Sequence, residues 1–308
     1  MALNLTGQPL IDRADCPDLL AAGHFGRWST AARSLHDDGF CVLNLDEPAF
    51  LATLDAVIEE LEPLLAEPLR QWDCGKGSPP RLQDGWLHHA SIRRLALEPL
   101  ILDLLRQAYG REPFAFQTLN FAVGSEQPYH SDAIHFHSYP LGFMCGVWIA
   151  LRDVESESGP LIYYPGSHRL PYLSAQSLCL DPAQVAAEPH PQRFFQDHWQ
   201  AAVQDRAFPL TRFLAKRGDV LIWHANLLHG GEPVLNRKCR RWSQVIHYFF
   251  SDCLYTTPLR SFGPADGGPF LRNPYDITTG QLRYNKQQWS DLGLTAPQNS
   301  PLASSPSH

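Results

Sequence analysis

Apolar residues change their spacing once along this chain, close to residue 113. Before that point they recur every three to four positions over 25–37 and again over 47–65, which predicts two helices with one buried face each. A third helix is predicted from Ser91, a residue suited to an N-cap, to Tyr109, where Gly110 offers a left-handed stop. Between the first two, residues 39–45 read as a strand, and 71–85 read as a loop rich in Gly, Pro and Asp. Beyond 113 the texture becomes short strands bounded by turn residues, at 114–123, 142–151, 161–164, 219–223 and 242–250. Such a series predicts a sandwich, jelly roll or barrel, and the 26 prolines sit more easily at strand ends than inside a helix bundle. The stretch 175–207 is polar with little strand character, so a helical excursion or lid is expected there. Residues 296–308 are too poor in apolar side chains to pack and are expected to be disordered. No internal repeat is visible.

Composition narrows the partners more than the fold. The net charge is −7, and no run of Lys and Arg supplies the phosphate neutralisation that nucleic-acid binding requires, so no nucleic-acid partner is expected. Asp12 and Arg13 interrupt the apolar stretch that a secretory signal would need. The longest apolar run, 141–151, contains two glycines and is too short to span a bilayer, so neither membrane insertion nor export is expected. The seven cysteines are odd in number and scattered without Cys-x-x-Cys spacing, which predicts no disulfide framework or zinc knuckle and points to a reducing cytoplasm.

Among the 14 histidines, His130 stands out because Asp132 follows it two residues later. In extended chain, residues i and i+2 share a face, so both side chains can converge on one metal ion. The third ligand must come from elsewhere, and His229, just after the strand 219–223, suits it better than His224 at the end of that strand, because Leu-His-Gly-Gly suggests a tight bend. Two imidazoles and one carboxylate cover one face of an octahedral ion and leave three positions open, the arrangement used for O2 chemistry at Fe(II). Further on, Arg241, Ser243, Val245 and His247 share one strand face. Arg241 with Ser243 offers a planar fork and a hydroxyl suited to a carboxylate, whereas alternation turns Arg240 outward. An iron site beside a carboxylate clamp implies a dicarboxylate co-substrate, and 2-oxoglutarate is the candidate.

Several spacings together resemble the phytanoyl-CoA dioxygenase family of Fe(II)/2-oxoglutarate oxygenases: His130-Ser-Asp132, Trp148 in Gly-Val-Trp-Ile-Ala-Leu, the stretch from Ser158 to His168, the stretch from Gly218 to Gly230, and Arg241-Trp-Ser243. The resemblance covers about 117–250 and implies a double-stranded β-helix (jelly-roll) core with flanking helices. It implies iron held by His130, Asp132 and His229, 2-oxoglutarate held by Arg241 with Ser243 assisting and Trp148 lining its pocket, and O2 as oxidant. The expected organisation is one oxygenase domain over 1–295, with a helical part to about 112, the core at about 113–255 and a C-terminal extension from 256. Gln117 and Asn120, on the first core strand, are further candidates for the co-substrate or else bond neighbouring backbone. His135, His137, Tyr139 and His168 read either as polar residues near the barrel mouth or as contacts to a small-molecule substrate. Hydroxylation of a C–H bond is the expected outcome, with desaturation or ring rearrangement as alternatives on the same cofactors. A halogenase would lack the carboxylate ligand, and a non-catalytic cupin-like protein would not need all four of His130, Asp132, His229 and Arg241.

Overall fold

Helices come first and strands after, as the change of period predicts. The computed structural model describes residues 6–283; the tail at 296–308 and the last part of the C-terminal extension lie outside them. The N-terminal part contains α1 (Cys16–Ala21), α2 (Ser29–Asp38), α3 (Pro48–Asp73), α4 (Ala90–Ala96) and α5 (Pro99–Tyr109).

Two of these differ from the pattern reading. Helix α3 continues past Leu65 to Asp73 although Pro63 and Pro68 each remove a backbone donor. Its apolar stripe explains the persistence: Leu61, Leu65, Leu69 and Trp72 stay on one buried face, and that burial outweighs the lost hydrogen bonds. The predicted helix from Ser91 is two helices, because Pro99 disfavours a helical conformation at Glu98, whose side chain instead accepts from the Leu100 amide at 3.3 Å as the N-cap of α5. Ser91 is not a cap; its hydroxyl donates to Glu60 at 2.7 Å. Gly110 does close α5 in the left-handed region, with φ 73°.

The strands are β1 (Phe40–Asn44), β2 (Arg81–Gln83), β3 (Pro113–Phe121), β4 (His137–Tyr139), β5 (Met144–Ala150), β6 (Leu161–Tyr163), β7 (Thr211–Phe213), β8 (Asp219–His224), β9 (His229–Gly231), β10 (Ser243–Phe250) and β11 (Leu254–Thr256). They form a six-stranded sheet in the order β1-β8-β5-β10-β3-β2, a three-stranded sheet β7-β6-β9 and a pair β11-β4. The pairings are antiparallel. This is the double-stranded β-helix that the family resemblance implies. The segment read as the loop 71–85 is therefore partly ordered, with α3 reaching Asp73 and β2 forming a sheet edge.

Every residue of β10 is buried, so both of its faces are covered. On one face Gln244 donates to the Ile92 carbonyl at 3.0 Å and Tyr248 to the Ala96 carbonyl at 2.9 Å, which seats the large sheet on α4. The other face looks into the barrel, where Val245 joins Trp148, Leu221 and Trp223 of the large sheet and Leu161 and Tyr163 of the small one. The polar stretch 175–207 is a helical excursion, α6 (Pro182–Ala187) and α7 (Arg193–Arg206).

Candidate active site

His130 and His229 stand 99 positions apart in the chain, and the fold pairs their backbones directly. The His130 amide donates to the His229 carbonyl at 2.8 Å, and the reverse bond is 3.0 Å. Residues opposite one another in an antiparallel pair project to the same side, so the two rings lie 4.7 Å apart, centroid to centroid. Thus His229 is a strand residue, not the bend that Leu-His-Gly-Gly suggested; Gly230 is needed because a Cβ there would lie 2.7 Å from the Gln127 carbonyl. Ser131 is extended, which returns Asp132 to the side of His130, and Asp132 then opens a one-turn helix capped by the Ser131 hydroxyl.

One ligand atom from each of His130, Asp132 and His229 lies within 4.8 Å of the others, and all three residues are buried. Nδ1 of His130 sits 2.9 Å from the Pro128 carbonyl and Nδ1 of His229 sits 3.0 Å from the Leu227 carbonyl. A carbonyl only accepts, so each Nδ1 carries a proton, and Nε2 is the ring atom that each histidine turns towards Asp132. Burial alone would raise the Asp132 carboxyl, but the surrounding imidazoles outweigh it and hold it well below the ordinary range. Burial pushes His229 down to about 4, whereas His130 is raised by its bond to Asp132 despite burial. Asp132 is therefore ionised and His229 neutral at pH 7, the states a metal ion requires.

Two residues that sequence reasoning did not assign complete this cluster. Trp223 donates from Nε1 to Oδ2 of Asp132 at 2.9 Å, and its ring lies 4.6 Å from that of His229. His247 places Nε2 3.5 Å from the same oxygen, while its Nδ1 meets Gln117 Oε1 at 2.9 Å. The inward phase of β8 and β10 carried a trace of both, but only the register brings them onto Asp132.

The triad lines a cavity of about 370 Å³ that also includes Arg241, Trp148, Gln117 and His135. Arg241 is 2% exposed, and Nη1 donates to the Gly159 carbonyl at 2.7 Å while Nε has no partner. Burial lowers it to about 10, so it stays charged at neutral pH, and no carboxylate among the described residues pairs with it. Its guanidinium lies 5.8 Å from the centre of the Trp148 ring. Trp148 Nε1 and Ser243 Oγ are likewise buried without partners. The loop before Arg241 is fixed by the unexpected end of α3: Arg237 donates to the Trp72 carbonyl at 3.0 Å, and Arg240 turns outward to pair with Asp73 at 2.7 Å.

Other expectations separate cleanly. Asn120 points away from the cavity, donating to Gln244 at 3.0 Å on the helix-covered face, because β3 turns Gln117 inward and Asn120 outward. His137 and Tyr139 pair with β11 and border a different cavity, and His168 packs behind β8 against the carbonyl of His36 at 3.2 Å. None of these three faces the triad; of the proposed substrate contacts only His135 does, with Nε2 3.0 Å from Gln192 Oε1. His224 lies with His168, bonded to Asp12 at 3.2 Å.

A family model for phytanoyl-CoA dioxygenase (PhyH) matches residues 35–242, more than half of the chain. The chain belongs to the phytanoyl-CoA dioxygenase family of Fe(II)/2-oxoglutarate oxygenases. Among relatives in this family, the phytanoyl-CoA dioxygenase domain-containing protein 1 of Danio rerio is 31% identical over 81 residues, 25% of this chain and 28% of that protein. The Rattus norvegicus protein of the same description is 25% identical over 158 residues, 50% of this chain and 51% of that protein. The chain thus spans about half, or less, of the length of these curated relatives. Among solved structures, the non-heme alpha ketoglutarate dependent carbocyclase SnoK from nogalamycin biosynthesis superposes with a TM-score of 0.55 at 20% identity, covering 75% of this chain and 87% of that one. EctD from S. alaskensis with bound Fe gives 0.52 at 19%, covering 71% and 75%. These likenesses establish the fold.

Proposed function

We propose that this PhyH-family protein is an Fe(II)- and 2-oxoglutarate-dependent dioxygenase that hydroxylates a C–H bond of a small molecule, consuming O2 and 2-oxoglutarate and releasing succinate and CO2. The observation that carries this reading is Arg241, a buried cation beside a metal-binding triad with no carboxylate of its own. Isolating a charge from water costs several kcal/mol unless an opposite charge arrives, so the arrangement calls for an anionic ligand.

His130, Asp132 and His229 would hold the iron, which when bound supplies the oxidising chemistry with O2. The two backbone carbonyls at Nδ1 keep both rings oriented, and Trp223 fixes the Asp132 carboxylate. Arg241 would grip the distal carboxylate of 2-oxoglutarate, with the unpartnered Ser243 hydroxyl and Trp148 indole nitrogen as further donors. EctD has been solved with bound Fe and, separately, with 2-oxoglutarate and 5-hydroxyectoine, which supports the same cofactors on this fold. We take residues 1–295 as one oxygenase domain, and a reducing cytoplasm as its compartment, supported by the free state of all seven cysteines.

The test is anaerobic titration of Fe(II)-loaded protein with 2-oxoglutarate, read by visible charge-transfer absorption and followed by succinate release on admitting air. Absence of the absorption in wild-type protein would sink the assignment. Product mass then separates hydroxylation, a gain of one oxygen from labelled O2, from desaturation, a loss of two hydrogens.

A further inference from the structure

Edge strand β2 pairs with β3 in the register Arg81↔Phe121 and Gln83↔Leu119, and the outer ends of these pairs form one rim of the triad cavity. The alternation that turns Leu82 towards the protein core leaves Arg81 and Gln83 facing the opening. Arg81 is exposed and has no hydrogen bond or ion pair among the described residues, in a chain whose net charge is −7. Asp132 is the sole acidic residue lining the cavity, and it belongs to the triad.

The remaining polar wall is built of neutral amides. Gln117 and Gln192 each have the amide oxygen engaged, by His247 and His135, which leaves their NH2 groups as donors; the side chain of Gln127 makes no bond among the described residues. Phe136 offers an apolar face beside them, held from behind by the Arg272 guanidinium 4.7 Å above its ring. Past Gln127, His135 and Gln192 the opening continues into a second cavity of about 420 Å³ between Pro128 and the start of α7.

Resting on the oxygenase reading above, we propose that the substrate is a polar small molecule bearing one carboxylate, which Arg81 receives at the rim while the amide donors of Gln117, Gln127 and Gln192 bind neutral oxygens of its body. One unpaired guanidinium balances one negative charge and matches a carboxylate with its planar fork. A long acyl chain would leave these amides desolvated and without partners, an unfavourable burial. Neither Arg81 nor Gln83 was visible as a site residue from sequence, because β2 reads there as a loop.

Protein loaded with redox-silent Mn(II) and saturated with 2-oxoglutarate is tested against N-acylated amino acids, hippurate among them, their methyl esters, and dodecanoyl-coenzyme A. Paramagnetic broadening of the probes' proton resonances reports binding near the metal. Acids should bind about tenfold more tightly than their esters, the equivalent of one charge-assisted hydrogen bond, and this preference should vanish in Arg81→Gln and reverse in Arg81→Glu. Acids that bind no better than esters, a preference that survives Arg81→Gln, no binding by any probe, or tighter binding of the acyl thioester would each overturn the proposal. The 2-oxoglutarate titration is repeated on wild type and Arg81→Gln, and both should take it up equally. Failure of wild type in that titration speaks against the oxygenase reading, not against the substrate class.

Discussion

Gly146 lies directly opposite Trp223 in the pairing of β5 with β8, and a Cβ at Gly146 would stand 2.2 Å from the indole ring. The missing side chain is what lets the indole lie flat across the sheet and deliver its N–H to Asp132. A glycine inside a strand ordinarily weakens it, so this one is explained by the close approach it permits.

Removing the indole donor should therefore act on the metal. Trp223→Phe keeps the packing but not the hydrogen bond, and Fe(II) affinity should fall about 10- to 100-fold, as for other partners that orient metal ligands. Gly146→Ala should do the same by displacing the ring, with a loss of roughly 1–3 kcal/mol in stability from overpacking. Anaerobic metal titration by calorimetry measures the first effect and denaturant unfolding the second. Unchanged metal affinity in Trp223→Phe would show that Asp132 needs no such support.

Asp132→Ala removes one of three ligands, so metal binding and turnover should be lost while the fold, which rests on the apolar clusters around the sheets, survives. Circular dichroism and metal content on the same sample check both halves. Iron retained with turnover would refute the ligand assignment.

Arg241 and Arg240 should respond differently to 2-oxoglutarate. In the wild type, a hundredfold excess over Kd should raise stability by about 2.7 kcal/mol in the presence of Mn(II). Arg241→Lys loses the planar fork, so most of that gain should disappear and the apparent KM for 2-oxoglutarate should rise. Arg240→Lys alters the pair with Asp73 and the bond to the Arg237 carbonyl, which lie outside the cavity, and should leave both the stability gain and the KM nearly unchanged. The reverse pattern would identify the wrong neighbour.

Acid should destabilise the protein through histidines remote from the metal. Burial pushes His137 down to about 4, and burial together with the neighbouring His224 ring pushes His168 down to about 3. Both are then neutral when folded but protonate near pH 6.5 when unfolded, so the unfolded state binds more protons below that pH. Their stabilising neutrality is complete above pH 6.5 and is lost as pH falls towards 4, at about 1.4 kcal/mol per pH unit for each ring. Thermal unfolding of His137→Gln and His168→Gln across this range should show a shallower acid slope, and an identical slope would refute the linkage.

The excursion formed by α6 and α7 touches the triad cavity through Gln192, bonded to His135. If that contact closes the mouth over bound substrate, hydrogen exchange in 189–199 should slow when Mn(II), 2-oxoglutarate and a binding acid are present, and Gln192→Ala should abolish the slowing. Exchange as fast as in the free protein would leave the excursion without a role in closure.

Local chemistry decided much of what the sequence revealed. The period change near residue 113, Gly110 as a helix stop and the i, i+2 relation of His130 to Asp132 all follow from backbone geometry within a few residues, and each is present in the structure. The opposite facing of Arg240 and Arg241 was likewise legible from alternation. Short-range pattern failed where distant packing overrode it. The stripe of α3 carried the helix through two prolines, its end then anchored the loop that presents Arg241, and β2 became a strand because β3 offered it an edge. His137, Tyr139 and His168 kept the right composition for a site but faced other cavities, since sequence proximity to a motif does not set the direction of a side chain across a sheet. Convergence of Trp223 and His247 on Asp132, 91 and 115 positions before them, depended on strand register, which is fixed by pairing with strands distant in the chain and is therefore a property of the folded sheet alone.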